Sequence, residues 1–249
     1  MGVVLEVEGR AFTTEELSVL MAQYQMLPKL AQEIVVDRAV VNVVYKEEEK
    51  TQAYQQLCQQ YQITDEERLQ KWLDRNGMTK EQLEALALKK LKIEKYKEEN
   101  WGNKVEAHFI KRKAQLDRVV YSLIRTDRAE LAQELYFRIQ EGESTFQQLA
   151  MEYSEGSEAQ TGGLIGPVEV NAPHPRIAQV LSTCKSGQLV PPTRVGEWIV
   201  IIRLENFISA KLDEAMRQRM LNEMFGQWLN EQIEKQVSFF PSPVSPVVH

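Results

Sequence analysis

The stretch that closes the chain before its proline-rich end constrains the fold most. Leu212, Met216, Met220, Met224 and Trp228 recur every four residues, with Leu221, Phe225, Leu229 and Ile233 beside them. At helical spacing these positions form one apolar stripe, too broad for a helix standing alone in water. The helix over 211–236 therefore needs a partner, and candidates lie at the far end of the chain. Leu30, Ile34, Val35, Val40, Val41 and Val44 fit a largely buried helix over 29–45, although the β-branched content leaves a strand open. Leu83, Leu86, Ala87, Leu91 and Ile93 make one face of another helix that runs toward Trp101. Burying such side chains at ~1.5–3 kcal/mol each outweighs the cost of holding two short linkers. The C-terminal helix is expected to pack back on the N-terminal helices, with the segment between them inserted.

Cap chemistry places the early helices. Val3 to Val7 alternates as a short strand, and Glu8-Gly9 supplies a turn. Thr13 followed by Glu16 has capping-box spacing and predicts a helix running to Leu27 before Pro28. Thr64 with Glu67, and Thr79 with Gln82 after Asn76-Gly77, predict two more starts. Lys46 to Lys50 reads as a solvated helix surface. The pattern then changes. Arg118 to Ile124 reads as a strand, Asp127 to Gln140 and Thr145 to Tyr153 as helices, and a loop with Gly156, Gly162, Gly163 and Gly166 follows. Pro175 to Leu181 can form a short helix, and Gln188 to Thr193 and Trp198 to Leu204 read as strands. The fold class is α+β: a small antiparallel sheet surrounded by helices, inserted into a mainly helical module. The expected boundaries are a helical module over 1–113, the sheet domain over 114–207, the returning helix over 208–237 and a flexible Pro-rich tail over 238–249.

Composition removes several function classes. A formal charge of −6 argues against a general nucleic-acid binder, and Lys111-Arg112-Lys113 is short enough to be a solvated helix end. No apolar run approaches the ~20 residues that span a bilayer, so membrane insertion is not expected. The start of the chain lacks the basic and apolar regions of a signal peptide, and the expected location is cytoplasmic. Cys58 and Cys184 stand alone, as isolated thiols do in a reducing compartment. His108, His174 and His249 are scattered, so neither a metal nor a cofactor is expected.

Two segments carry a family resemblance. Phe146-Gln147-Gln148-Leu149-Ala150-Met151-Glu152-Tyr153-Ser154 is followed by Glu158-Ala159-Gln160-Thr161-Gly162-Gly163-Leu164-Ile165-Gly166. Ser186 to Pro192 and Gly196 to Leu204 then close the domain. This pattern resembles the parvulin-type peptidyl-prolyl isomerases. The wider order, with Val4 to Thr13 as opening strand, turn and capped helix, resembles the SurA-like bacterial folding factors. The resemblance implies rotation of X-Pro bonds, and it implies two central histidines, a Cys or Asp beside the substrate carbonyl and a Met/Phe slot for the proline ring.

This chain departs from that equipment. The first histidine position falls on Tyr121, the Cys/Asp position on Gly156, and the acidic position after the double glycine on Leu164. The slot residues fall near Pro173 and Ile177, and the last histidine on Ile199 or Val200. By this resemblance Tyr121 is the remaining candidate catalytic residue. Tyr121, Leu164, Pro173, Ile177 and Trp198 are the candidates to line a peptide groove, although Leu164, Ile177 and Trp198 suit core packing better. Isomerase activity is expected to be weak or absent. Three readings stay open: a folding factor that binds unfolded, secretory or proline-containing polypeptides, a working isomerase with atypical site residues, and an adaptor for a secretion-system partner.

Overall fold

The helix starts of the N-terminal region are set by side chains that satisfy otherwise orphaned backbone N–H groups. The computed structural model describes residues 3–240. A hairpin of β1 (Val3–Val7) and β2 (Arg10–Thr13) leads into α1 (Thr14–Gln23). Thr13 accepts from the Glu16 N–H at 3.4 Å, and the Glu16 carboxylate accepts from the Thr13 N–H at 2.9 Å. Next come α2 (Leu27–Val40), α3 (Glu47–Gln60), α4 (Glu66–Asn76) and α5 (Lys80–Trp101). Thr79 and Gln82 form the box that opens α5.

Several expectations are corrected here. The first helix stops at Gln23 instead of reaching Leu27, and Pro28 lies in the first turn of α2 instead of ending α1. The first turn has no partner for its N–H groups, so a proline fits there. The cap of α4 is Asp65, which accepts from the Arg68 N–H at 2.9 Å, while Thr64 donates to the Asp65 carboxylate. The α2 region is not largely buried: Leu30, Ile34, Val41 and Val44 are exposed, and the packed positions are Val35, Val36, Val40 and Val43. The region holds enough valine and isoleucine for two stripes, and periodicity alone does not say which one faces inward.

The chain divides into two compact units. One comprises the chain up to Val105 and again from Arg217, and the other comprises Glu106–Met216. In the second unit α6 (Val105–Leu116) leads to β3 (Arg118–Thr126), α7 (Ala129–Gln140) and α8 (Phe146–Tyr153). After them come β4 (Leu164–Glu169), α9 (Pro175–Thr183), β5 (Leu189–Val195) and β6 (Trp198–Ile208). All pairings are antiparallel, in the order β4-β3-β6-β5. The strand β4 falls where only a glycine-rich loop was expected. Gly166-Pro167 breaks its alternation, and as an edge strand it tolerates a proline. One sheet face packs Val119, Tyr121, Leu123, Val200, Ile202 and Leu204 against Ile177 and Leu181 of α9. The other packs Ile124 and Ile201 against Leu135 of α7 and Phe146 and Leu149 of α8.

In the first unit α10 (Glu214–Gln236) brings Phe225 and Leu229 onto Val36, Val40 and Val43 of the α2 region, with Ile93 and Tyr96 of α5. Trp228 stands 5.4 Å from Tyr96 and 6.0 Å from Trp101, ring centre to ring centre. Lys97 Nζ donates to Asn222 Oδ1 at 2.6 Å, and Arg217 pairs with Glu98. A second cluster of Leu57, Leu69, Leu73, Leu83 and Ala87 holds α3, α4 and α5 together. Among the described residues no helix is long and apolar enough to cross a membrane. The tail expected over 238–249 lies, from residue 241 on, outside the described residues.

Burial leaves an alkaline limit on stability. It raises the Tyr121 phenol and the Cys184 thiol, and it pushes Tyr54 up to about 12, with a hydrogen bond to Cys58 adding to the shift. Each group holds its proton longer folded than unfolded, so its stabilisation is complete below the unfolded value and is lost as pH climbs through the folded one. Thermal melts stepped upward from pH 9 should show falling midpoints, with phenolate absorbance rising at unfolding. A flat midpoint through pH 11 would contradict this.

Candidate functional site

The end of β3 is stitched to the loop that follows α8. Arg125 N–H donates to Ser154 Oγ at 3.0 Å, and Glu155 N–H donates to the Arg125 carbonyl at 2.9 Å. Ser154 Oγ donates in turn to Glu158 Oε1 at 2.7 Å, and Arg125 Nη2 donates to Glu158 Oε2 at 3.0 Å. The Glu158 side chain is 4% exposed and that of Arg125 33%. A buried carboxylate is tolerable only with such partners. The loop ends on Gly163, whose φ of +84° suits glycine, and whose carbonyl accepts from the Leu123 N–H at 2.9 Å.

Gly156 explains itself at this point. A Cβ there would lie 2.0 Å from both Arg125 Nε and Nη2 and 2.2 Å from Glu158 Oε2. The volume a side chain would take is filled by the Arg125–Glu158 pair. Arg125 Nε is buried against this turn with no hydrogen-bond partner.

Beside the pair opens a cavity of about 290 Å³ whose walls include Leu123, Arg125, Ile177, Val195, Trp198 and Val200. Strand alternation puts Leu123 and Arg125 on one face, and Val200 is the register partner of Arg125 across the ladder. The guanidinium carbon lies 5.7 Å from the centre of the Trp198 ring. His174 stands at the rim, where its Nδ1 accepts from the Arg176 N–H at 3.2 Å and caps α9, while Glu197 carries the acidic charge of the β5–β6 turn.

The candidates named from sequence separate. Ile177 and Trp198 meet in this cavity, and of the two residues at the last-strand position Val200 lines it. Leu164 pairs with Ser122 and lines a different cavity, also about 290 Å³, with Gln147, Arg203 and Glu205. Pro173 is half-buried and lines neither. Tyr121 is 4% exposed in the sheet core and lines neither cavity. Its phenol is raised by burial and then by the nearby Glu158 charge, so it is a neutral core group at ordinary pH. Arg125 and Glu158 were missed. The available signal was strand alternation, which sets Arg125 on the same face as Tyr121 and Leu123.

The helical unit has a groove between α3 and α5 of about 360 Å³, with Gln52, Gln56 and Gln60 along one side and Leu57 and Ala87 in its floor. Among the described residues no three potential metal ligands gather.

Comparison with known families matches residues 124–206 to the rotamase family, the PPIC-type PPIASE domain. The match begins three residues after Tyr121, so the assignment of Tyr121 to a histidine position lies outside it. No curated protein matches the chain. Among solved structures the chain is similar to the peptidylprolyl isomerase PrsA from Bacillus anthracis. That likeness is 19% identical, covers 86% of this chain and 100% of that one, and has a TM-score of 0.49. The parvulin domain of PpiD from E. coli is similar at 27% identity over 40% of this chain and 97% of its own, with a TM-score of 0.34. A structure reported for PEB4 and Cj1289, two SurA-like chaperones of Campylobacter jejuni, is similar at 19% identity over 94% and 95%, with a TM-score of 0.37.

Proposed function

We propose that this chain, which carries a PPIC-type peptidyl-prolyl isomerase domain at residues 124–206, works as a folding factor that binds unfolded or proline-containing polypeptides and rotates prolyl bonds weakly or not at all. The single observation that carries the reading is the packing at Gly156, the residue that the resemblance sets at the Cys/Asp position: the Arg125–Glu158 ion pair fills the space a side chain would take there. Rotation about an X-Pro bond faces a barrier of ~18–20 kcal/mol, and catalysis needs groups that favour the twisted amide over the planar one. By the resemblance, the position of the first histidine falls on Tyr121, buried in the core, and that of the second on Ile199 or Val200, both aliphatic. What persists is a scaffold with an apolar cavity of a size that admits a proline ring or a small aliphatic side chain.

The test pairs binding with turnover. Proline-containing peptides are titrated by calorimetry, and cis–trans exchange in the same samples is followed by NMR beside an active parvulin. Saturable binding with exchange close to the uncatalysed rate supports the reading. Exchange as fast as the active control would sink it in favour of a working isomerase. Suppression of aggregation for several unrelated clients separates a general folding factor from an adaptor that answers to one secretion partner.

A further inference from the structure

We propose that Arg125 is the hydrogen-bond donor of this peptide site, and that the site selects an apolar residue, proline foremost, whose neighbouring main-chain carbonyl is presented to the guanidinium. The proposal rests on the peptide-binding reading above and names the residue that gives the site its polarity. A guanidinium carries five N–H donors and no acceptor, and it keeps its charge at every accessible pH. Here Nη2 has a partner in Glu158 and Nε is sealed against the Gly156 turn, so the N–H groups left for a ligand are those the guanidinium turns to the cavity that Arg125 lines.

The group is also held in place. Glu158 is fixed by Ser154, the Trp198 ring lies beside the guanidinium, and the backbone of Arg125 is tied to the same loop on both its N–H and its carbonyl. A donor that needs no reorganisation loses little on binding. The apolar walls lie directly beside it: Leu123, Ile177, Val195 and Val200. Charge decides the acceptor. Glu158 balances the guanidinium, and Glu197 adds a negative charge at the rim, so a neutral carbonyl suits the site better than a carboxylate.

Gly156 belongs to the same device. With any side chain there, the guanidinium and the Glu158 carboxylate must move, because the added carbon would overlap both. Gly156 and Arg125 belong together: at the residue that the resemblance sets at the Cys/Asp position the loop carries no side chain, and the space is taken by the arginine of β3 and its carboxylate partner.

The experiment is a double-mutant cycle between protein and ligand. Wild type and the charge-neutral pair Arg125→Met/Glu158→Gln are titrated with an Ala-Pro peptide and with its thioamide analogue, in which sulfur replaces the carbonyl oxygen before proline as a weaker acceptor. Arg125→Lys, which keeps the charge facing Glu158, serves as a second variant should the pair lower thermal stability. Wild type should bind the oxo-peptide about ten-fold more tightly than the thioamide, the equivalent of ~1.4 kcal/mol. That preference should vanish in the double variant and shrink in Arg125→Lys. The Arg125 Nε–H NMR resonance should move on peptide addition and stay put with a proline-free polyglycine peptide. Gly156→Ala should lower affinity for the oxo-peptide alone. An unchanged thioamide penalty in the variants would overturn the role of Arg125 while leaving peptide binding intact. Tighter binding of an Asp-Pro peptide than of Ala-Pro would replace the neutral acceptor with an anionic one and overturn the selectivity. No peptide binding by wild type would remove the reading beneath both.

Discussion

Ending the chain after Asp213 should unfold the helical unit and leave the sheet unit folded. The deletion removes Met220, Leu221 and Met224, all buried, and with them Phe225 and Leu229, which complete the cluster of Val36, Val40 and Val43. At ~1.5–3 kcal/mol for each of these apolar side chains the loss is of the order of 8–15 kcal/mol, as large as the whole stability of an ordinary domain. The hydrogen bond between Lys97 and Asn222 goes too, so the Lys97 ammonium, 7% exposed by residue, keeps only Glu94. The readout is hydrogen exchange. Amides of α2 and α5 should lose protection in the shortened chain, while those of β3 and β6 keep it. Native protection in α2 would show that α10 is dispensable to this unit.

Replacing Gly163 by alanine should destabilise the sheet unit by about 2–5 kcal/mol, combining ~1–2 kcal/mol for a left-handed backbone with ~1–3 kcal/mol for crowding. The added carbon would stand 2.8 Å from the Leu123 carbonyl oxygen, 3.0 Å from the Ala150 side chain and 3.1 Å from the Phe146 ring. None of these can step aside cheaply, since Leu123 is ladder backbone and the other two are core. Gly142→Ala is the internal control. Its φ of +73° imposes similar backbone strain, but nothing lies within 4 Å of its added carbon. Chemical denaturation of the two variants side by side should give the larger loss to Gly163→Ala. Equal losses would mean that backbone strain alone matters at both sites.

Much of the fold was legible because its signals are local. Thr13 with Glu16 and Thr79 with Gln82 mark helix starts through atoms three residues apart, and the structure forms both boxes. The apolar run from Trp198 to Leu204 reads as a strand, and β6, which extends it to Ile208, lies between β3 and β5. What escaped was decided at longer range. The strand β4 is specified by pairing with β3, not by its own interrupted pattern. The inward stripe of α2 depends on which side α5 and α10 occupy. The site was only partly legible for the same reason. Ile177 and Trp198 were named together for one groove and do line one cavity, but family positions drew attention to Tyr121, and Arg125 was passed over. Its placement depends on a glycine 31 positions further along the chain, and no spacing rule couples the two.

Both outer strands of the four-stranded sheet carry prolines: Pro167 in β4, and Pro191 and Pro192 in β5, where the register shifts between Val190 and Thr193. A proline offers no N–H to an incoming chain, and an irregular register denies it a straight template. Adding a strand to an open edge is a common way for one polypeptide to capture another, and it is also the route by which exposed edges seed aggregates. This sheet has both edges blunted against it. A domain surrounded by unfolded chains, as proposed here, would need that protection, because a client annealed along the backbone could not be released without peeling apart a ladder. Extended chains are left to engage through side-chain pockets, where release requires only that a single residue leave its cavity.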